Sequence, residues 1–292
     1  MVQDTLEETK KIVWPEIKKY LKDPIYPKQF LVPNKFKKDS KSFWDINNVY
    51  PQRFGKYLRP TLVLLTANAL GVNKKIVIKT AAAMQLSEEW ILIHDDIEDN
   101  SLLRRGERTL HKIYGTELAI NAGDSLQIIM WKVVSDIKSK EISDEFYKML
   151  LRTTLGQGVE QEWTNSKVNL TDDKYFFVAD SKSAYYSIAG PIRLGAILAG
   201  VNNEKLDKLT EFGLYLGRCF QLIDDILDYE DDLKEGKKTL ANTKGIDYTK
   251  KLAQKMKKKA KTIFEKDLKF LKNEPARTKF VELIDFILDR DY

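Results

Sequence analysis

The 292-residue chain is 43% hydrophobic and carries 49 basic against 43 acidic residues, a formal charge of +6. That is enough apolar material for a large core, and the mild basic excess permits an anionic ligand without requiring one. The single Cys219 excludes a disulfide framework and fits a reducing, cytoplasmic setting. MVQDTLEETKK does not read as a signal peptide, no run approaches the ~18 apolar residues of a membrane span, and no nucleic-acid motif is found.

Asp23 to Asp45, DPIYPKQFLVPNKFKKDSKSFWD, holds three prolines and several lysines and reads as an irregular surface connection. RPTLVLLTANALG then predicts a helix with Pro60 near its start and Gly71 just past its end. VIKTAAAMQLSEEWILIHDD continues as a long apolar helix. GTELAINAGDSLQIIMWKVVSDI and KLTEFGLYLGRCFQLIDDILDY are apolar at helical spacing and too long for strands. Near the C-terminus Leu252, Met256, Ala260 and Ile263 recur every three or four residues, and the lysines between them form a solvated helix face. No alternating segment, repeat or low-complexity tract is present. The chain reads as one all-α domain, residues 1–292, with 23–45 as the irregular connection.

The acids carry the chemistry. Asp95, Asp96 and Asp99 lie three and four residues apart, so a helix places them on one face within one turn. Such charges at the end of an apolar helix are costly to bury, and one cluster alone reads equally as a solvated helix end. The device then recurs about 130 residues later as Asp224, Asp225 and Asp228 in QLIDDILDYEDD. Two such clusters can face each other on antiparallel helices. Mg²⁺ binds through one or two carboxylates and completes its shell with water and phosphate oxygens. The pair therefore suggests two to three Mg²⁺ ions clamping a polyphosphate. Cations suited to the same anion are Lys56 and Arg59 in FGKYLRP, Arg104 and Arg105 in LLRRGERTLH, Lys182 in DSKSAYYS, and Lys237 and Lys238 in KEGKKTL. Each alone reads as a surface charge; Arg offers two-point forks to phosphate and Lys a compact point charge.

In family order, GKYLRP, HDDIEDNSLLRRG, LAINAGDSL, GQGVEQEW, KSAYYS and FQLIDDILDYEDD resemble the trans-prenyltransferases, the isoprenyl diphosphate synthases that make farnesyl and geranylgeranyl diphosphate. The resemblance runs from about Gly55 to Lys238. It implies an all-α bundle of antiparallel helices around a deep central cavity (the isoprenoid synthase fold), usually homodimeric. It also implies Mg²⁺ held by Asp95, Asp96 and Asp99 and by Asp224, Asp225 and Asp228, gripping an allylic prenyl diphosphate. Loss of diphosphate would leave an allylic cation for isopentenyl diphosphate to attack. By the same match Arg104 binds the allylic diphosphate, and Lys56, Arg59 and Arg105 the isopentenyl one. Lys182, Ser183 and Gln221 lie near the developing cation, and Lys237 touches diphosphate. The resemblance further implies that the fourth and fifth residues before the first aspartate, Ile91 and Trp90, would form the floor of the chain pocket, so that growth would stop at roughly three or four isoprene units. Ser87 and Met84 are further chain-length candidates, and on a helical wheel Ile91 and Met84 lie nearer the carboxylates than Trp90 does.

Two departures from the family pattern stand out. Glu88, in QLSEEW, replaces the usual His or Gln seven residues before the first aspartate: an anion where an anion should bind. Either it pairs with a cation such as Lys56 or Arg59, or it weakens isopentenyl diphosphate binding. The segment after Asp228 is also short, leaving out one diphosphate-contacting lysine. Competing readings are a same-fold enzyme with an altered second-substrate site, performing another coupling or a cyclisation, and a non-catalytic modulating subunit. Of the remaining polar residues, His94 reads as a supporting or core group, His111 and Cys219 as structural, and Asp124 as either buried hydrogen bonding or site support.

Overall fold

The computed structural model describes residues 2–22, 24, 26–73 and 75–288. In chain order the elements are α1 (Val2–Tyr20), α2 (Lys37–Asn47), α3 (Val49–Gln52), α4 (Leu58–Ala69) and α5 (Lys75–Glu98), followed by a short hairpin of β1 (Leu103–Arg104) and β2 (Glu107–Arg108). Then come α6 (Leu110–Tyr114), α7 (Thr116–Ile137), α8 (Lys140–Asn165), α9 (Asp172–Val178), a π-helix (Ala179–Ala189), α10 (Gly190–Leu198) and α11 (Asn203–Leu227). The chain closes with α12 (Tyr229–Glu235), α13 (Leu240–Lys244), α14 (Ile246–Asp267) and α15 (Ala276–Leu288). The protein is all-α, as its periodicity predicts. No described helix is long and apolar enough to cross a membrane.

One stretch differs from its expectation. Within the predicted irregular connection, Asp23 and Ile25 lie outside the described residues. The rest is irregular only as far as two short 3-10 turns, Lys28–Phe30 and Asn34–Phe36, and residues 37–45 are helical. The physical reason is placement. Pro24, Pro27 and Pro33 all precede α2, so nothing interrupts its hydrogen-bond ladder. Lys41 and Asp45, one turn apart, add a 2.6 Å ion pair.

The chain divides into two compact units. The first contains Leu6–Pro60 and Ile78–Lys138; the second contains Met1–Thr5, Thr61–Val77 and Ser139–Tyr292. In the first unit, Val13, Ile17, Tyr50, Tyr57, Met84, Ile93, Leu126 and Met130 are buried, and α2 and α6 pack against α7. In the second, α11 lies along the π-helix and α14. The approach is backbone to backbone: a Cβ at Gly213 would stand 2.6 Å from Ala189 Cα, and one at Gly217 2.5 Å from Ala184 Cα. No larger residue fits, so the glycines of EFGLYLG set how closely α11 rides on the π-helix. Phe212, Phe264 and Phe280 stack behind it, with ring centroids 5.6 to 6.4 Å apart.

Candidate active site

The first acidic motif ends α5. Asp99 N donates to Asp95 O at 2.9 Å, so the last turn is helical and the two carboxylates share a face. Asp95 is half-buried and Asp99 exposed. Asp96 is different: it is completely buried and both its oxygens are taken. Tyr50 Oη donates to Oδ2 at 2.5 Å, while Arg104 Nε and Nη2 donate to Oδ1 at 2.9 and 2.5 Å. Burial, and then the Asp96 carboxylate, push the Tyr50 hydroxyl well above its ordinary pKa, so it stays a donor. Arg104 also reaches Asp95 at 3.5 Å.

The hairpin splits the arginine pair. Arg105 and Gly106 both adopt left-handed backbone, φ +56° and +80°, as a two-residue hairpin turn requires. Arg104 on β1 meets Asp96, and Arg105 in the turn meets the preceding stretch of α5. Arg105 Nη1 donates to Glu89 Oε2 and to the Tyr50 carbonyl, both at 2.9 Å, and Nη2 donates to Glu89 Oε1 at 3.2 Å. Glu88 lies 3.1 Å from Arg59 Nη1 and 3.7 Å from Arg105 Nη2. Glu88 thus faces two cations, Arg59, one of the partners expected for it, and at a longer distance Arg105. Lys56 is exposed. Gly55 approaches closely here: a Cβ would stand 2.8 Å from Arg105 Nη2 and 3.4 Å from Glu88 Oε1.

The second motif, in the other unit, repeats the plan of the first. Asp228 N donates to Asp224 O at 2.9 Å, placing those carboxylates one helical turn apart at the end of α11. Asp224 is half-buried and Asp228 exposed, whereas Asp225 is buried. Tyr175 Oη donates to Asp225 Oδ2 at 2.7 Å and Gln221 Nε2 to Oδ1 at 2.8 Å. Burial raises the Asp225 carboxyl to about 7 against the opposing pull of those two donors. Gln221, expected beside a developing cation, thus holds Asp225. Lys182, on the π-helix, is paired with Glu160 at 2.8 Å, and Ser183 beside it is half-buried. Lys237 is exposed in the turn after α12, and Lys238 donates to the Val168 carbonyl.

These contacts divide each acidic triplet into one buried member and two more exposed ones. Asp96 and Asp225 meet buried protein donors, and the carboxylates with more exposure, which could reach Mg²⁺ without leaving such donors, are Asp95 with Asp99 and Asp224 with Asp228. Among the described residues no three acidic, histidine or cysteine side chains form a ready-made cage. Mg²⁺ does not need one: a pair of hard oxygens, with water and phosphate filling the rest, suits it. Removing the Tyr175 hydroxyl should test the buried anchor. Tyr175→Phe is expected to lower stability by about 2 kcal/mol, the scale of a bond to a charged group, seen as a melting midpoint a few degrees lower.

The chain-length candidates lie on two sides of α5. Ile91 and Met84 fall near the Asp95 face of the helix, Ile91 half-buried and Met84 buried. Ser87 is buried and donates to the Met84 carbonyl at 2.7 Å. Trp90 packs edge-on to His94, centroids 5.8 Å apart, and His94 meets α7 at Gly123 and, at 3.5 Å, Asp124. Asp124 is exposed, so it takes no part in buried hydrogen bonding. Cys219 is buried, with its thiol toward the Ala253 carbonyl. Among the described residues His111 has no hydrogen-bond partner on either ring nitrogen, and burial lowers its pKa.

Tyr50, Tyr175, Gln85 and Glu89 are site residues that the sequence reading passes over. For Glu89 a signal existed: it precedes Asp96 by seven residues just as Glu88 precedes Asp95, so the two pairs stack along the helix. For the tyrosines, distant in sequence, there was none.

Comparison with known proteins follows the same lines. Residues 42–283 match the Polyprenyl synthetase family. The chain is 29% identical to the geranylgeranyl diphosphate synthase of Methanosarcina mazei over 287 residues, covering 82% of this chain and 86% of that protein. It is 32% identical to the geranylgeranyl diphosphate synthase of Saccharolobus solfataricus over 204 residues, 64% of this chain and 61% of that one. The solved structure of geranylgeranyl pyrophosphate synthetase from the archaeon Geoglobus acetivorans superimposes with a TM-score of 0.83, covering 98% of this chain and 99% of the other at 24% identity.

Proposed function

The chain belongs to the polyprenyl synthetase family, and from that premise we propose that it condenses isopentenyl diphosphate with an allylic diphosphate to give a short trans-prenyl diphosphate of roughly C15 to C20. The observation that carries the reading is the pair of helix ends, each with two accessible carboxylates one turn apart and a third anchored by a tyrosine. Bound Mg²⁺ would neutralise the allylic diphosphate and make it a better leaving group. Asp95, Asp99, Asp224 and Asp228 would hold the ions. Arg104, fixed by Asp96, adds a fork toward the allylic diphosphate. Lys56, Arg59 and Arg105 receive the diphosphate of the isopentenyl substrate, and Lys237 gives a further point charge. The carbonyls and hydroxyls around Lys182 and Ser183 on the π-helix stabilise the allylic cation, and the departing diphosphate takes the proton lost after coupling.

Purified protein given Mg²⁺, isopentenyl diphosphate and a series of allylic diphosphates tests the reading directly, with dephosphorylated products resolved by chromatography. Elongation of at least one primer supports it; no elongation of any refutes it. A second reading, a same-fold enzyme with another acceptor, is favoured by one observation: Glu88 occupies the arginines that should take the second diphosphate. A coupled or cyclised product lacking the added isopentenyl unit would mark that case. The retained Asp95, Asp99, Asp224 and Asp228 weigh against a non-catalytic subunit. We also read the enzyme as cytoplasmic and homodimeric; the exposed Tyr147, Leu151 and Leu155, at four-residue spacing on α8, supply an apolar stripe suited to a second copy.

Trp90 is proposed as the floor of the hydrocarbon site. It is 5% exposed, and a ring fixed by its neighbours does not yield to a flexible tail. Trp90→Ala is expected to lengthen the products. An unchanged distribution in the folded, active variant moves the assignment to Ile91, Ser87 or Met84.

A further inference from the structure

We propose that Glu89 is the positioning residue of the second-diphosphate site, acting through Arg105; this rests on the reading that Arg59 and Arg105 receive that diphosphate. Glu89 is 1% exposed, and its oxygens take the Arg105 fork from behind at 2.9 and 3.2 Å. Gln85, one turn earlier on α5, donates to Glu89 Oε1 at 2.6 Å and fixes the carboxylate in turn. The Tyr50 carbonyl takes another proton of Arg105 Nη1. What these bonds leave of the guanidinium is Nε–H and one Nη2 proton, and Nη2 lies 3.7 Å from Glu88 Oε1. Gly55 leaves room for Nη2, since a side chain there would strike it.

The two neighbouring glutamates therefore stand on opposite sides of one arginine. Glu88, 13% exposed against 1% for Glu89, lies between Arg105 and Arg59, where the proposal places the incoming anion. Glu89 lies on the buried side, where no anion enters. It matches the charge of a guanidinium that would otherwise be buried unpaired. Removing Glu89 has two opposing effects. It takes away a negative charge that repels a second anion, and it leaves Arg105 without the partner that makes its burial tolerable. The second effect wins, because a buried unpaired guanidinium does not remain in place. Its nearest refuge is Glu88, and moving there takes up the protons that a diphosphate needs. Unlike Glu88, then, Glu89 supports anion binding while carrying the same charge one residue away.

The test measures inorganic diphosphate binding by calorimetry in the presence of EDTA, so that metal-held sites contribute nothing, alongside steady-state kinetics. Glu89→Gln is expected to weaken diphosphate binding about tenfold and to raise KM for isopentenyl diphosphate by a like factor. The turnover number and the allylic KM should stay within about twofold. Glu89→Asp, which keeps the charge on a shorter arm, should recover part of the loss. If Glu89→Gln does not fold, Gln85→Leu carries the test. It removes only the amide that steadies Glu89, and it should shift the same two constants in the same direction by about threefold. Unchanged or tighter diphosphate binding overturns the proposal, as does a parallel fall in turnover and both affinities. The functional reading is judged separately, by whether the wild-type protein elongates any allylic primer, so the two can fail independently.

Discussion

Replacing Asp95 or Asp224 with alanine lowers turnover about a thousandfold, the equivalent of ~4 kcal/mol of lost leaving-group stabilisation. Each variant deletes one of the accessible carboxylates at a helix end and leaves the buried anchor of its motif intact, so the fold should survive. Circular dichroism and melting should show wild-type behaviour, and excess Mg²⁺ should restore part of the activity. EDTA should abolish wild-type turnover reversibly. Asp96→Asn and Asp225→Asn behave differently. Each weakens a buried hydrogen-bonded group, Asp96 with Tyr50 and Arg104, Asp225 with Tyr175 and Gln221. They should lower the melting midpoint, which the first pair does not. Wild-type turnover in folded Asp95→Ala or Asp224→Ala protein would remove the two-motif assignment altogether.

The contrast marks what a sequence can and cannot say here. The long helices were legible because their apolar residues recur with the helical period, and the acidic triplets because identical spacing appears twice. Spacing alone could not distinguish the members of a triplet. Which aspartate turns inward depends on Tyr50 and Tyr175, 46 and 50 residues away. The same holds for Lys182, whose partner Glu160 sits 22 residues earlier on α8. The π-helix was hidden because its wider turn has no residue signature in ADSKSAYYSIA. The helical start of α2 was masked by prolines that in fact stop short of it. Local chemistry is written locally; pairing is not.

Glu88→His lowers KM for isopentenyl diphosphate by roughly thirtyfold, and it leaves the allylic KM nearly unchanged. Glu88 is 13% exposed and lies 3.1 Å from Arg59 and 3.7 Å from Arg105. A diphosphate bound to those arginines must first displace this carboxylate, and a charge-assisted contact of that kind is worth ~2 kcal/mol, close to thirtyfold in affinity. Substitution by histidine removes the competing charge and offers a ring nitrogen to the incoming oxygens. Glu88→Gln separates the two contributions: it removes the charge without the imidazole and should recover most of the gain if displacement dominates. The allylic diphosphate is spared because its proposed contacts, Arg104 on β1 and the aspartates at the ends of α5 and α11, are other residues than the Arg59 and Arg105 that Glu88 faces. Steady-state kinetics with each substrate varied in turn decides the matter. An unchanged or higher KM in both variants would mean that the carboxylate is an integral part of the site, bridging Arg59 and Arg105 while substrate is bound, and that the acceptor carries less negative charge than a diphosphate.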